Sequence, residues 1–340
     1  MPAPDEIALA YQRQQKSVIL AVIAAVLSLW KRLDRDNLTR SWAAGVGPSL
    51  VETVTQAQLA AAAAAPAYLE RLAAAQGMSA DMSGLVPSAL SGVASDGRPL
   101  ESLMYQPIIL FKRLLAAGKQ PEEAMRQATN FMALIASTQV ADAGRGAVSV
   151  GIASTREWVT YVRVVHLPAC SRCIILAGRE YSWSTGFQRH ENCDCSMMPR
   201  RVGDDPPVTP EQLFAQMSTK DQDRRFGKAG AQALRLGADM GQVVNARRGM
   251  RTATGGRLIT TEGTTVRGVA GKQLGNLRKV AGERYRRSQT VRPMPEQLIA
   301  DANGDRELAV EFLQRFGYLN AASRRRAGAA SNRTVPSTAP

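Results

Sequence analysis

Apolar residues recur at helical spacing along the first part of the chain. Within residues 5–33, Leu9, Val18, Val22, Val26 and Leu29 fall near the i, i+3/i+4 spacing of one helix face, which predicts a long first helix. The same reasoning, together with proline and glycine positions, predicts further helices at 37–66 (interrupted near 45–48), 67–76 and 100–117. The pattern therefore predicts a helical domain over residues 1–150.

Helix-start signals are clear at Pro121, which suits a first helical turn and is followed by Glu122 and Glu123. We expect a helix at 121–143 that ends at Gly144, and another helix at 154–165 that leads into the next segment. Glycines and prolines between residues 78 and 99 predict a loop there.

The pattern changes after Pro199. Short helices are expected at 210–218 and 221–236, and a longer one at 295–316, whereas residues 245–272 are rich in Gly, Thr and Arg and predict an irregular basic arm. The fold class is thus mostly α: a helical domain (1–150), a small central segment (151–203), a basic region of helices and irregular chain (204–320), and a disordered tail (321–340).

Composition sharpens this prediction. Aromatic residues make up only 5% of the chain, which favours helices over an all-β fold. The net charge is +14, and residues 200–290 hold 18 basic and 8 acidic residues. Such local excess indicates nucleic acid or an acidic protein as partner, although a solvated basic face is the alternative. The residues selected for these contacts are Arg224, Arg225, Arg247, Arg248, Arg251 and Arg257.

One apolar run, residues 18–30, has the composition of a membrane or export segment but not the length or the flanking residues. At about 13 residues it is too short to span a bilayer, and it follows a polar stretch without a small-residue cleavage site. We expect a cytoplasmic or particle-associated protein with no membrane partner.

All four cysteines and one of the two histidines lie within residues 170–195, CSRCIILAGREYSWSTGFQRHENCDC. The C-x2-C pair of Cys170 and Cys173 is followed by His190, Cys193 and Cys195 in the order H-x2-C-x-C. Two thiolates on one tight turn and a distant His/Cys pair are typical of a structural zinc site. Five candidate ligands for four positions leave open whether Cys193 or Cys195 binds the metal.

Three alternatives to zinc remain open from the residues alone. The cysteines could form two disulfides, serve redox or nucleophilic chemistry at C-x2-C, or be ordinary buried residues. Near them, Tyr181, Trp183 and Phe187 are expected to form a small aromatic cluster.

The stretch HLPACSRCIILAGREYSWSTGFQRHENCDCSMMP resembles the signature of MuF-like minor head proteins of tailed bacteriophages, in the version found in phages of actinobacteria. All five Cys/His positions match, and residues 219–251 and FLQRFGYL near the end are similar to the same group. The resemblance covers most of residues 1–320, but only the Cys/His segment is specific.

What the resemblance implies is a minor capsid protein in head morphogenesis, located inside the virion and assembled in the host cytoplasm. Its partners would be the portal protein, the major capsid or scaffold protein, and packaged DNA bound without sequence preference. A weaker alternative is a free nucleic-acid-binding protein that uses the same zinc segment.

Relatives in this group are often labelled capsid maturation proteases, so the resemblance also implies a protease as the alternative function. The residues available for a serine protease are His166 as base and Ser171 as nucleophile, without a G-x-S-x-G elbow. A zinc hydrolase would need an open metal position and a base such as Glu191 or Asp194, but H-E-x-x-H is absent. A closed structural site fits four sulfurs better.

Overall fold

The computed structural model describes residues 2–187, 189–190, 193, 195–202, 204, 207–320 and 323. The tail predicted to be disordered, 321–340, lies outside the described residues apart from Ser323. The chain is mostly helical, as expected, and forms two compact units. The first comprises the described residues of 1–166 and 179–207, and the second those of 167–178 and 208–340.

The first unit is a helical bundle followed by a small sheet. Its core packs residues of four helices that are nearly inaccessible to solvent: Val26, Trp30, Leu50, Leu100 and Met132. Apolar burial of this kind is the main stabilising term. The helices span Pro4–Trp30, Leu38–Ser41, Gly47–Ala63, Ala65–Ala75, Leu100–Met104, Gln106–Ala116 and Pro121–Ser154, with a π-helical turn at Trp42–Val46 and a 3-10 turn at Pro87–Leu90.

The expected helix end at Gly144 is wrong. The helix that begins at Pro121 continues to Ser154. Gly144 serves close packing instead: a Cβ there would collide with the Gln15 side chain of the first helix. Gly151, one turn before the end, would likewise collide with Leu69. Glycine inside a helix lowers its stability, but at these two positions the neighbouring side chains leave no room for a Cβ.

The helix expected at 154–165 is also wrong, because Thr160–Val164 is the central strand of a three-stranded antiparallel sheet. Its neighbours are Glu180–Ser182 and Ser196–Arg200, with Tyr161 opposite both Tyr181 and Pro199. Alternating Thr160, Val162 and Val164 are β-branched, and such residues favour strands. The central strand precedes the Cys/His segment in the chain and Ser196–Arg200 follows it, so the sheet fixes both ends of that segment.

The second unit combines short helices with short strands. Helices span Ser171–Ile174, Pro210–Gln216, Thr219–Phe226, Lys228–Arg235, Met240–Asn245, Gly271–Leu274, Pro295–Asp301 and Arg306–Arg315, with 3-10 turns at Ala246–Gly249 and Thr254–Gly256. Strands span Met250–Thr252, Leu258–Thr260, Leu277–Arg278, Arg287–Ser288 and Arg292–Pro293. Within this unit, Phe214 packs edge-to-face on Phe226, with ring centroids 5.4 Å apart.

Two helices predicted as continuous are broken here. The 221–236 helix is interrupted at Gly227 (φ 76°), and the 295–316 helix at Asn303 and Gly304 (φ 47° and 87°). A positive φ is incompatible with continued right-handed helix. The arm expected to be irregular at 245–272 contains two strands, and Leu258–Thr260 pairs with both Met250–Thr252 and Arg292–Pro293.

Candidate metal centre

The first pair of candidate ligands lies on a one-turn helix. Cys170 is the N-cap of Ser171–Ile174, and its Sγ accepts a hydrogen bond from the Cys173 backbone N–H, 3.4 Å between N and S. Cys173 is 3% exposed, while Cys170 is half-buried. The C-x2-C spacing therefore produces a compact turn, as a metal knuckle requires.

The second group precedes the strand Ser196–Arg200. The Cys193 backbone N–H donates to the His190 carbonyl at 3.2 Å, which joins these two candidate ligands through the backbone. Cys193 and Cys195 are 4% and 1% exposed, and Cys195 leads directly into the strand. A buried edge strand thus holds the end of the H-x2-C-x-C motif.

The predicted ligands fall into two overlapping groups. The donor atoms of Cys170, Cys173 and His190 lie within 4.8 Å of one another, and so do those of Cys173, Cys193 and Cys195. Sulfurs on one tetrahedral zinc stand about 3.8 Å apart, given Zn–S bonds of about 2.3 Å. The thiolate and imidazole donors of both groups fit zinc. No disulfide joins the four cysteines, all of which are described.

An ion-pair network on the Pro121–Ser154 helix supports the second group. The Arg145 guanidinium donates to the Cys193 carbonyl at 2.9 Å and to the Cys195 carbonyl at 3.2 Å. Asp142, one helical turn earlier, accepts from Arg145 at 2.5 Å and also from Arg189. Two backbone carbonyls on either side of residue 194 are thereby fixed to one rigid helix.

A buried arginine contacts one candidate ligand directly. Arg163 is 2% exposed, and its Nη2 donates to the Cys193 Sγ at 3.1 Å. Its guanidinium also stacks over the Phe187 ring, 4.4 Å from the centroid. A positive charge beside a thiolate offsets the negative charge that several sulfur ligands bring to a zinc ion.

The aromatic cluster differs in part from expectation. Tyr181 and Phe187 are in contact, with centroids 5.7 Å apart, and Tyr161 stacks on Tyr181 at 5.4 Å. Trp183 is 50% exposed instead. Burial, followed by the neighbouring Tyr181, raises the pKa of Tyr161 to about 12. The ring cluster therefore packs on the sheet and supports Arg163.

Of the residues that a protease or a zinc hydrolase would use, the structure describes His166 and Ser171. His166 follows the central strand and is 8% exposed, and Ser171 is the first residue of the Ser171–Ile174 helix. Glu191 and Asp194 lie outside the described residues.

The six arginines selected from the sequence are not equivalent. Three of them form ion pairs: Arg224 with Asp221 at 2.5 Å, Arg247 with Glu296 at 3.5 Å, and Arg257 with Asp301 at 2.5 Å. Arg225 is half-buried. Arg248 and Arg251 are exposed and have no ion pair within the described part of the chain.

Sequence reasoning missed Asp142, Arg145 and Arg163. The first two are three residues apart on a helix, a spacing at which opposite charges meet. Arg163 stands among β-branched residues in a strand, and only its burial distinguishes it from a solvent-exposed arginine.

Comparison with known families adds one match. The model of the VG15 protein family matches residues 2–220, which is more than half of the chain. The chain belongs to this family. VG15 is a viral, phage-related family, and the matched region includes every cysteine and both histidines. No curated protein and no solved structure matches the chain significantly. Among the described residues, no helix is long and apolar enough to cross a membrane.

Proposed function

We propose that the chain is a MuF-like minor capsid protein that acts in phage head morphogenesis, inside the virion and in contact with the portal and the capsid or scaffold protein. The observation that carries the proposal is the clustering of Cys170, Cys173, His190, Cys193 and Cys195 at the spacing of that group, in a chain of a viral family. The helical first unit would supply the docking surface, and the basic region would meet packaged DNA.

The cysteine cluster has a structural role in this proposal. A zinc ion held by four of the five donors would tie together chain segments that are separated by sixteen residues in the sequence. With four protein donors on a tetrahedral zinc ion, no position is left open for substrate. It stabilises the fold while the surrounding surfaces make the contacts.

Incorporation into particles tests the head role. Purified virions analysed by mass spectrometry should contain the chain in a few copies, and a phage lacking it should form defective heads that recover when the gene is supplied in trans. Absence from particles together with normal heads would refute the proposal.

Zinc content tests the structural role separately. The purified chain should hold about one zinc by elemental analysis. Cys173→Ser should abolish binding, because Cys173 belongs to both donor groups. The matched control is Ser171→Ala, which lies on the same turn and leaves every donor in place. Zinc content that is near zero in the wild-type chain, or that survives Cys173→Ser, would contradict the site.

A maturation protease is the alternative proposal, with His166 and Ser171 as its residues. The burial of His166 favours the assembly role, because a general base must reach the proton that it removes. Cleavage of scaffold or coat protein by the purified chain, lost in Ser171→Ala and His166→Ala, would establish the alternative.

A further inference from the structure

A short hairpin in the second unit carries the densest positive charge of the described chain outside the residues selected above. Residues 277–288, LRKVAGERYRRS, contain five basic residues and a single acidic one, Glu283. Its strands Leu277–Arg278 and Arg287–Ser288 pair antiparallel. We call this segment the basic hairpin.

We propose that the basic hairpin is the surface through which this protein binds the phosphate backbone of duplex DNA. The inference rests on the DNA contact included in the proposed function and assigns it to residues other than the six arginines selected from the sequence.

Backbone hydrogen bonds hold the hairpin in place. The Val266 N–H donates to the Arg286 carbonyl at 2.8 Å, and the Ser288 N–H donates to the Thr264 carbonyl at 2.9 Å. At the turn, the Lys279 Nζ donates to the Arg284 carbonyl at 2.9 Å. The cations are therefore presented on an ordered element, which lowers the entropy lost on binding.

The exposed arginines of the hairpin have no internal acidic partner. Arg278, Arg284 and Arg286 are exposed, and none forms an ion pair with a described carboxylate. The one acidic residue is already used, because both Glu283 oxygens bind Arg287, at 2.9 and 3.0 Å. Arg224 and Arg257, by contrast, each bind an aspartate.

The pairing register places like charges directly opposite each other. Arg278 is the cross-strand partner of Arg287. Like charges placed opposite each other destabilise an antiparallel pair, and the ion pair of Arg287 with Glu283 offsets part of this repulsion. A phosphate backbone against this face would replace the repulsion with attraction. This charge pattern therefore favours a hairpin that binds a polyanion over one that has no partner.

The hairpin tip is built around an aromatic ring flanked by guanidinium groups. Arg267 and Arg284 lie over the Tyr285 ring, 4.5 and 5.3 Å from its centroid. Stacking orients the planar guanidinium forks, which suit phosphate oxygens. Protein–protein interfaces use Arg and Tyr too, but their cores also bury apolar side chains, and the large apolar side chain exposed on the hairpin is Val280, at 37%. These features favour nucleic acid over an acidic protein.

The test compares two double variants of the full chain, each lowering the net charge by two. Arg278→Gln/Arg286→Gln changes hairpin residues whose guanidinium groups are not among those over the Tyr285 ring, and Arg224→Gln/Arg257→Gln changes ion-paired residues. Binding of fluorescent random-sequence duplex DNA is measured over a range of salt concentrations, and circular dichroism checks folding. The slope of log K against log salt is negative, and the hairpin variant should reduce its magnitude by about 1.8, the control by less than half of that.

Each outcome decides between the possibilities. Equal slopes for both variants, or DNA binding unchanged in the hairpin variant, would overturn the hairpin assignment while leaving DNA contact intact. No DNA binding by the wild-type chain, with binding to polyglutamate, would overturn the nucleic-acid proposal in favour of an acidic protein. Incorporation into virions is measured independently, so the head role can fail or stand separately.

Discussion

Arginines around the Cys/His segment and arginines of the basic hairpin differ in what they bind. Arg163 is buried and Arg145 is half-buried, and their donors are directed at backbone carbonyls, a carboxylate and a sulfur. Arg278 and Arg286 are exposed and without acidic partners in the described chain. The former residues stabilise internal structure, whereas the latter remain available to a partner. The net charge of a region therefore overestimates the number of arginines that are available to a partner.

The same division exists within the second unit. Arg292 is 1% exposed and donates to the carbonyls of Glu262, Phe316 and Gly317 as well as to the Gln242 side chain. Its guanidinium lies 4.0 Å from the Tyr318 ring centroid. Although it is only a few residues from the hairpin, it contributes to the core rather than to a surface.

The largest effect is expected from removing this buried arginine. Arg292→Met should destabilise the chain by about 3 kcal/mol or more, because it leaves several buried oxygens without a donor. Urea unfolding measures the change. Arg286→Met in the hairpin is the matched control and should change stability by less than about 0.5 kcal/mol. Similar losses in both variants would remove the distinction between the two kinds of arginine.

An intermediate effect is expected beside the candidate metal. Arg145→Met should weaken zinc binding by about 10- to 100-fold, since residues that position metal ligands typically have effects of this size. Competition with a chelator of known affinity measures it. Arg126→Met, an exposed position on the same helix, should leave zinc affinity unchanged. Unaltered affinity in Arg145→Met would mean that the helix does not position Cys193 and Cys195.

The smallest effect concerns the pKa of Asp221, the carboxylate that forms an ion pair with the surface residue Arg224. The Ser218 hydroxyl, which donates to Asp221 at 2.7 Å, is the main cause that lowers the pKa of this carboxyl, and Arg224 adds to it. The folded pKa lies below the unfolded one, so this contribution to stability is complete above about pH 3.9 and is lost as pH falls through the folded pKa.

Ser218→Ala should therefore raise the pKa of Asp221 towards its ordinary value, with a smaller rise in Arg224→Gln. Carboxyl chemical shifts followed through a pH titration measure both changes. If the pKa of Asp221 rises more in Arg224→Gln than in Ser218→Ala, the ion pair with Arg224 contributes more to the low pKa than the Ser218 hydrogen bond does. Arg224 would then be less available to a partner than proposed.

Local patterns predicted much of the first unit. The apolar spacing from Leu9 to Leu29 identified the first helix, which spans Pro4–Trp30, and the signals around Pro121 identified the start of the longest one. Gly144 was misread because a glycine that ends a helix and a glycine that admits a neighbouring side chain are identical in sequence. Only the approach of Gln15 distinguishes them.

The candidate metal site was predictable to the level of its donors. Spacing alone selected Cys170, Cys173, His190, Cys193 and Cys195, and the structure groups them as two overlapping sets. The residues that hold these donors were not predictable, because Arg145 is about 50 positions away in the chain and meets the cysteine carbonyls only after folding.

Residue spacing and composition are enough to specify a mostly helical chain, a Cys/His motif with metal-ligand spacing, and a large positive charge in residues 200–290. Tertiary structure decided which charges remain available. Whether an arginine finds a carboxylate, a carbonyl or only water depends on distances between residues far apart in the chain, as Arg257 with Asp301 and Arg292 with Glu262 demonstrate. Charge is a property of each residue, but its availability to a partner is a property of the fold.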